Sequence, residues 1–430
     1  MTSPTRTVRE VDVVVVGAGP AGLTAAAELS RLGVGRVEVV DREPAAGGIP
    51  RHCLHTGYGV RDLHRVLSGP AYARRLVDLA VSSGAAVRVG VSVTGWSGPT
   101  TLETTSPSGL ETISARAVVL ATGARERPRS ARLVAGARVP GVWTTGQLQQ
   151  AVHLYGQQVG SRAVIVGAEH VSFSAAVTLH HAGVDVVAMT TELGRQQSYA
   201  AFRLGAAVRY RFPVLTGVRV VSVVGRDHVE GVEIVHPGGV AELVPCDTVV
   251  FTGDWVADHE LARSAGLAID RGSTGPRVDT GLRTSRSMVF AAGNLLHPVL
   301  TADAAALDGK AVAATVLADL HGRSPASAAG GTEPAERPAA HGVAVVAAAP
   351  LRWVAPGRIT DVATRPPRGR FVLWADEFRT VPRIEVRQGD RLLAHVRSRN
   401  PLVANRPHEI GSGWLAGVDL GGPDVVVSLR

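Results

Sequence analysis

Three glycines and an acid at fixed spacing carry the clearest chemistry in this 430-residue chain. Val13-Val14-Val15-Val16 runs straight into Gly17-Ala18-Gly19-Pro20-Ala21-Gly22, and Asp41 stands nineteen residues past the last glycine (41 − 22). A pyrophosphate needs backbone N–H groups with no side chain in the way. Gly17 permits the tight strand-to-helix turn, Gly19 the close approach, and Gly22 the packing of helix on strand. The helix opening at Pro20 and Ala21 aims free amides at phosphate. Asp41 is placed to accept from ribose hydroxyls, and Arg42 beside it joins the expected contacts.

A second turn begins in the same way and then departs. Val164-Ile165-Val166-Gly167 is followed by Ala168-Glu169-His170-Val171-Ser172, so Glu169 stands where the close-approach glycine belongs. A carboxylate against a pyrophosphate costs at least about 1 kcal/mol at contact distance even in water, and its Cβ blocks the backbone. The nicotinamide site is therefore expected to be lost. Glu192, just past the next strand, keeps a ribose contact open.

The elements that must position these turns are legible. Val11–Val16, a helix from Pro20 to Leu32 and a strand Arg36–Val40 form a βαβ unit. A helix Tyr72–Ser83 and strands over 87–93 and 117–120 extend the first sheet. Around Gly160 the pattern restarts with strand Ala163–Val166, helix Phe173–His181 and strand Val184–Met189, an internal repeat offset by about 150 residues. A hairpin of Val218–Val224 and Val229–Val235 follows. The stretch Met288–Ala292 and a helix Asp303–Leu320 return the chain to the first domain.

Two further strand ends complete the pattern: Ala121-Thr122-Gly123 after an apolar run, and Gly293-Asn294 after another. With the first turn they form the ordered trio of a two-dinucleotide-domain flavoprotein. On these motifs residues 11–320 resemble the FAD-dependent pyridine nucleotide–disulfide oxidoreductase superfamily. The resemblance implies FAD as cofactor, with Gly17, Gly19, Pro20, Ala21, Gly22, Asp41, Arg42, Gly48, Ile49, Ala121, Thr122, Gly123, Gly293, Asn294 and Asp303 around it. The third motif of that superfamily usually ends Gly-Asp. Asn294 stands in place of the acid, and its amide can still hydrogen-bond a ribityl hydroxyl.

Gly47-Gly48-Ile49-Pro50-Arg51-His52-Cys53-Leu54-His55-Thr56-Gly57-Tyr58-Gly59, Ser68-Gly69-Pro70-Ala71-Tyr72-Ala73, Arg125-Glu126-Arg127-Pro128-Arg129 and Thr144-Thr145-Gly146-Gln147 narrow the likeness. They resemble the flavin subunits of heteromeric bacterial dehydrogenases for glycerol 3-phosphate, opines, or proline and hydroxyproline. That resemblance implies a small-molecule substrate, a homo- or hetero-oligomer, and a partner that is a second flavoprotein or an iron–sulfur protein. Cys53 and Cys246 form no redox dithiol, so disulfide reduction is not expected. Cys53, His55 and His297 are the catalytic candidates: a thiol near the flavin, and two imidazoles that take a proton while a substrate C–H yields hydride. His52 and His170 are weaker candidates. Asp303 is expected to cap the final helix, whose amides would face the flavin pyrimidine.

Composition bounds the alternatives. The formal charge is +8, but the arginines are scattered and Lys310 is the only lysine. No basic run is interleaved with aromatics, so no nucleic-acid partner is expected. No metal-ligand spacing, signal peptide or membrane span is read, and the default is a cytoplasmic protein.

The expected fold is α/β, two Rossmann-like modules with the second inserted in the first, plus a small β-rich C-terminal domain. The boundaries are 1–135 and 275–321 for the FAD-binding domain, 136–274 for a degenerate NAD(P)-type domain, 322–341 for a linker, and 342–430 for the β-rich domain. The expected function is an FAD-dependent dehydrogenase. It oxidises a small amino, hydroxy or polyol-phosphate substrate, or takes electrons from a partner chain. The alternatives are an NAD(P)H-dependent flavin reductase and a non-catalytic flavoprotein subunit whose tail docks a partner.

Overall fold

A computed structural model describes residues 7–198, 211–322 and 342–430. The expected linker therefore falls almost wholly on residues 323–341, outside the described residues. The chain divides into two units, one of residues 1–51, 57–124 and 257–430, the other of residues 52–56 and 125–256.

The first unit is built on a seven-stranded sheet. Thr7–Val16 lies at its centre, parallel to Val37–Asp41 on one side and to Gly109–Leu120 on the other. Val13, Val14 and Val15 are fully buried in the core of this unit, which is why this strand reads as an unbroken apolar run. Val289–Ala291 pairs parallel to the far end of Gly109–Leu120, with Val118 opposite Val289. The first turn (residues 17–22), Asp41, Ala121–Gly123 and Gly293 thus all follow the carboxyl ends of parallel strands. The strand order reverses about Thr7–Val16, the place where such sheets open a ligand crevice.

Helix Pro20–Arg31 crosses helix Ala302–Leu320 closely. A Cβ on Gly309 would stand 2.0 Å from the Ala21 carbonyl oxygen, so the contact is backbone against backbone.

The C-terminal residues pair into a five-stranded and a three-stranded sheet that share one core, including Val345, Phe371, Ile384, Val386, Val425 and Val427. This module belongs to the first unit. Trp353 and Trp374 stack with ring centroids 5.7 Å apart and pack with Leu300 and Ala304 at the start of helix Ala302–Leu320. The module's strands include Val343–Ala347, Leu351–Ala355, His408–Gly411 and Val425–Leu429.

The second unit repeats the α/β pattern. Arg162–Val166 lies between Thr248–Phe251 and Asp185–Thr191, all parallel, and helix His170–His181 follows the first of them. The expected hairpin is present as Arg219–Gly225 against Val229–Val235.

Candidate functional site

Two glycine turns of the same strand–turn–helix layout have opposite interiors. In the first, Gly17 has φ +108°, and a Cβ there would lie 2.4 Å from the Ala121 carbonyl oxygen. A Cβ on Gly22 would lie 1.9 Å from the Gly17 carbonyl oxygen. Both glycines are required by the protein's own backbone. Gly19 is different: a Cβ there meets nothing within 4 Å. Its backbone is extended, with φ −83°, so any residue fits the conformation. The fold itself has no use for glycine at this position, but a pyrophosphate lying on the turn does.

Gly19 is also the N-cap of helix Pro20–Arg31, which has neither a side-chain cap nor an acid in its first turn. Its first amides therefore stand available to an anion. The surrounding loops close on this point. The Gly47 amide donates to the Ala18 carbonyl at 2.8 Å. Gly48, at φ +61°, would bring a Cβ within 2.8 Å of the Gly19 Cα. Asp41 accepts from the Ala18 amide at 2.6 Å and from the Glu43 amide at 2.8 Å. That fixes its carboxylate beside the turn and leaves lone pairs for a ribose.

The remaining cofactor candidates vary in placement. Gly123, at φ +79°, opens onto free space, and Thr122 Oγ1 donates to the Asp258 carbonyl at 2.7 Å. Arg42 is exposed and 3.4 Å from Asp258 Oδ2; Ile49 is also exposed. A Cβ on Gly293 would stand 2.6 Å from Ala21 Cβ. Asn294 spends its amide on the loop: Nδ2 donates to the Leu300 carbonyl and Oδ1 accepts from the Leu300 amide, each at 3.0 Å. An ionised aspartate can only accept, so this clamp explains an amide where an acid is usual. Asp303 is buried in the first turn of helix Ala302–Leu320, where it accepts from Thr301 Oγ1, from the Ala304 amide at 2.9 Å and from the Arg61 amide at 3.1 Å.

The second turn is occupied by the chain itself. Glu169 is the N-cap of helix His170–His181, and its amide donates to Ser172 Oγ at 3.0 Å. Ser172 Oγ donates to Glu169 Oε2 at 2.9 Å, and Thr252 Oγ1 lies 3.4 Å from the same oxygen. Glycines pinch the carboxyl group: a Cβ on Gly167 would lie 2.7 Å from Oε2, and one on Gly253 2.8 Å from Oε1. The group fills the position that a phosphate takes at an open helix N-terminus. Burial raises its pKa, opposed by these hydrogen bonds and by Arg132. The obstruction is therefore mainly one of occupancy. Arg132 is engaged elsewhere, donating to the Thr252 and Gly253 carbonyls at 3.0 and 2.8 Å. Glu192 is exposed beyond strand Asp185–Thr191.

On the other side of Gly253 lies Glu126, which accepts from the Gly146 amide at 3.0 Å and the Gly253 amide at 3.3 Å. Burial pushes its pKa up to about 7. The folded chain thus binds a proton that the unfolded chain releases above about pH 4.5. Glu126's contribution to stability is most favourable below that value, falls as pH rises towards 7, and levels off above it. Replacing Glu126 by Gln is expected to flatten up to about 3 kcal/mol of this dependence. Denaturation midpoints of both proteins between pH 5 and 8 check it; parallel profiles would refute it.

Of the three catalytic candidates, Cys53 and His55 belong to the second unit and His297 to the first. Cys53 is buried in the second unit and donates from Sγ to Gln149 Oε1 at 3.1 Å. His55, in the same short segment, has Nδ1 3.0 Å from the Thr56 carbonyl oxygen. His297 is buried in the first unit, with Nε2 3.2 Å from Asp308 Oδ2. Asp308 in turn pairs with Arg368 of the C-terminal module, whose Nη1 also donates to the Ala304 carbonyl at 3.0 Å. Arg368 Nη2 stands 3.4 Å from Glu409. His297, Asp308 and Arg368 line a small cavity with Leu296, Pro356 and Pro367. These side chains join the module to the helix; no signal in the sequence pairs residues so far apart.

Among the described residues, no group of three or more His, Cys, Asp or Glu is placed to hold a metal ion, and no helix is long and apolar enough to cross a membrane.

Comparison with known proteins agrees with this geometry. Residues 11–309 match the sequence model of the family described as Pyridine nucleotide-disulphide oxidoreductase. An opine oxidase subunit of Rhizobium meliloti is 29% identical over 340 residues, 72% of this chain but 63% of that protein, so the match spans less than two thirds of the relative. A ferredoxin–NADP reductase of Salinispora tropica is 32% identical over 294 residues, covering 66% of this chain and 86% of the relative. Among solved structures, T. acidophilum thioredoxin reductase superposes with a TM-score of 0.61 at 22% identity, covering 73% of this chain and 99% of that one.

Proposed function

Since the chain belongs to the pyridine nucleotide–disulphide oxidoreductase family and is an FAD-dependent oxidoreductase, we propose that it is a dehydrogenase whose flavin is not reduced by NAD(P)H. Electrons would come from a small amino, hydroxy or polyol-phosphate substrate, or from a partner chain. The observation that carries this reading is the contrast between the two helix N-termini: one uncapped behind Gly19, the other filled by Glu169. Gly17, Gly19, Gly22 and Asp41 would hold the ADP half of FAD, with Gly48, Thr122, Gly123 and Gly293 around the rest. Bound flavin supplies the hydride acceptor. The chain's part is to orient it and to keep the nicotinamide cradle closed. Similarity to one subunit of an opine oxidase supports a heteromeric assembly.

The expected result is that anaerobic mixing of the FAD-loaded protein with NADH or NADPH leaves the flavin absorbance unbleached on the seconds scale. A screen of amino acids, hydroxy acids and polyol phosphates with a dye acceptor then identifies the reductant. Rapid bleaching would instead establish the second reading, an NAD(P)H-dependent flavin reductase, which Glu192 and the similarity to a ferredoxin–NADP reductase favour.

A further inference from the structure

The outer face of the five-stranded C-terminal sheet has a composition that its own packing does not explain. Register alone lays it out in rows. Ile384, Val386, Val425 and Val427 point into the core, so their alternate neighbours point out. The outermost row is Arg397, opposite Arg383, and Arg430, which follows strand Val425–Leu429 and donates its amide to the Arg383 carbonyl at 2.9 Å. Strands lie about 4.8 Å apart, so the three side chains leave the sheet within roughly 10 Å. The next row is His395, Glu385 and Ser428, and the next Leu392, Arg387, Val426 and Val346. The three arginines of the outermost row are exposed, as are Leu392 (47%), Val426 (38%) and Val346 (43%).

Like charges placed directly opposite each other destabilise a strand pair. Arg383 faces Arg397, and neither has an acidic partner among the described residues. Glu385 is the one acidic side chain in these rows, and it is already shared by Arg430 at 2.8 Å and Arg387 at 3.4 Å. We propose that this face is a docking surface for an acidic protein segment that also carries aliphatic side chains. Carboxylates would relieve the arginine row, and the aliphatic groups would cover Leu392, Val426 and Val346. Arginines beside exposed aliphatics fit a protein partner, whose interfaces mix an apolar centre with a charged rim. A nucleic acid would leave the apolar row uncovered. A second copy of the chain would have to set this row against Asp424 and Asp390 at the other end of the sheet, and Asp424 already accepts from the Ala344 amide at 3.1 Å. The inference goes beyond the proposed reaction and does not depend on it.

The test uses the full-length FAD-loaded protein and labelled short peptides, one of glutamates interrupted by leucines and one of glutamates alone, with a DNA duplex of equal charge. The leucine-containing peptide is expected to bind most tightly. Its affinity should fall about tenfold or more between about 50 mM and 0.5 M salt. The pair Arg383→Glu and Arg397→Glu should reduce binding by a similar factor, and Val426→Ser should remove the advantage of leucine, with circular dichroism and flavin content unchanged. The proposal is overturned if no peptide binds, if charge reversal leaves binding unaltered, if the duplex binds more tightly, or if sedimentation shows a dimer that the reversal dissociates. None of these readouts depends on turnover, so they stand apart from the nicotinamide experiment.

Discussion

A Gly19→Leu protein is expected to fold and to emerge from purification colourless. The new side chain meets no protein atom near its Cβ, and the extended backbone at this position tolerates any residue. The cost to the fold is that of a poor N-cap, about 1 kcal/mol. The cost to the cofactor is much larger. The side chain fills the cradle and keeps the pyrophosphate off the helix amides. Losing two charge-assisted hydrogen bonds, each about 1.5–3 kcal/mol, weakens FAD binding by about a hundredfold or more. Titration of the apoprotein with FAD, followed by flavin fluorescence, measures this directly. Gly22→Val is the contrasting control. A Cβ there collides with the Gly17 backbone at 1.9 Å, so that protein should lose fold and flavin together. A yellow Gly19→Leu protein with undiminished affinity would remove the basis for placing the ADP moiety on this turn.

The second large effect concerns the join between helix Ala302–Leu320 and the C-terminal module. Arg368→Ala is expected to destabilise the first unit by about 3–5 kcal/mol, because it strands Asp308, which has no solvent exposure, without its cation. His297, 3.2 Å away, would be left to face the carboxylate. Replacing both Asp308 and Arg368 by Leu should recover most of the loss, since the penalty comes from the orphaned charge rather than from the missing pair. Denaturant unfolding followed by tryptophan fluorescence is a suitable readout, because Trp353 and Trp374 sit in the adjoining contact. If the single variant costs less than about 1 kcal/mol, the pair behaves as a surface ion pair and the module is not anchored through it.

The chain's local chemistry was readable where it depends on backbone alone. Gly17 needs a positive φ, Gly22 needs no Cβ, and the apolar run before them needs burial on both faces. The first two requirements are set within a few residues, and the third shows as an unbroken apolar run, so all three are visible in one dimension. The replacement of the close-approach glycine by Glu169 was legible for the same reason. That its carboxyl turns inward as a cap was not, because Thr252 and Gly253 reach it from more than eighty residues away.

The histidines and acids show the limit most clearly. The sequence offered His297 as a proton acceptor but gave no sign of its neighbours Asp308 and Arg368. Asn294 was offered as a ribityl contact, and its hydrogen bonds to Leu300 were not legible. The C-terminal residues were read as a small β-rich domain, and the structure shows two sheets there that share one core. A glycine turn is determined by short-range sterics, which the sequence by itself states. A buried polar side chain must be satisfied by whatever the fold brings to it, and only the tertiary structure decides which distant residue that is.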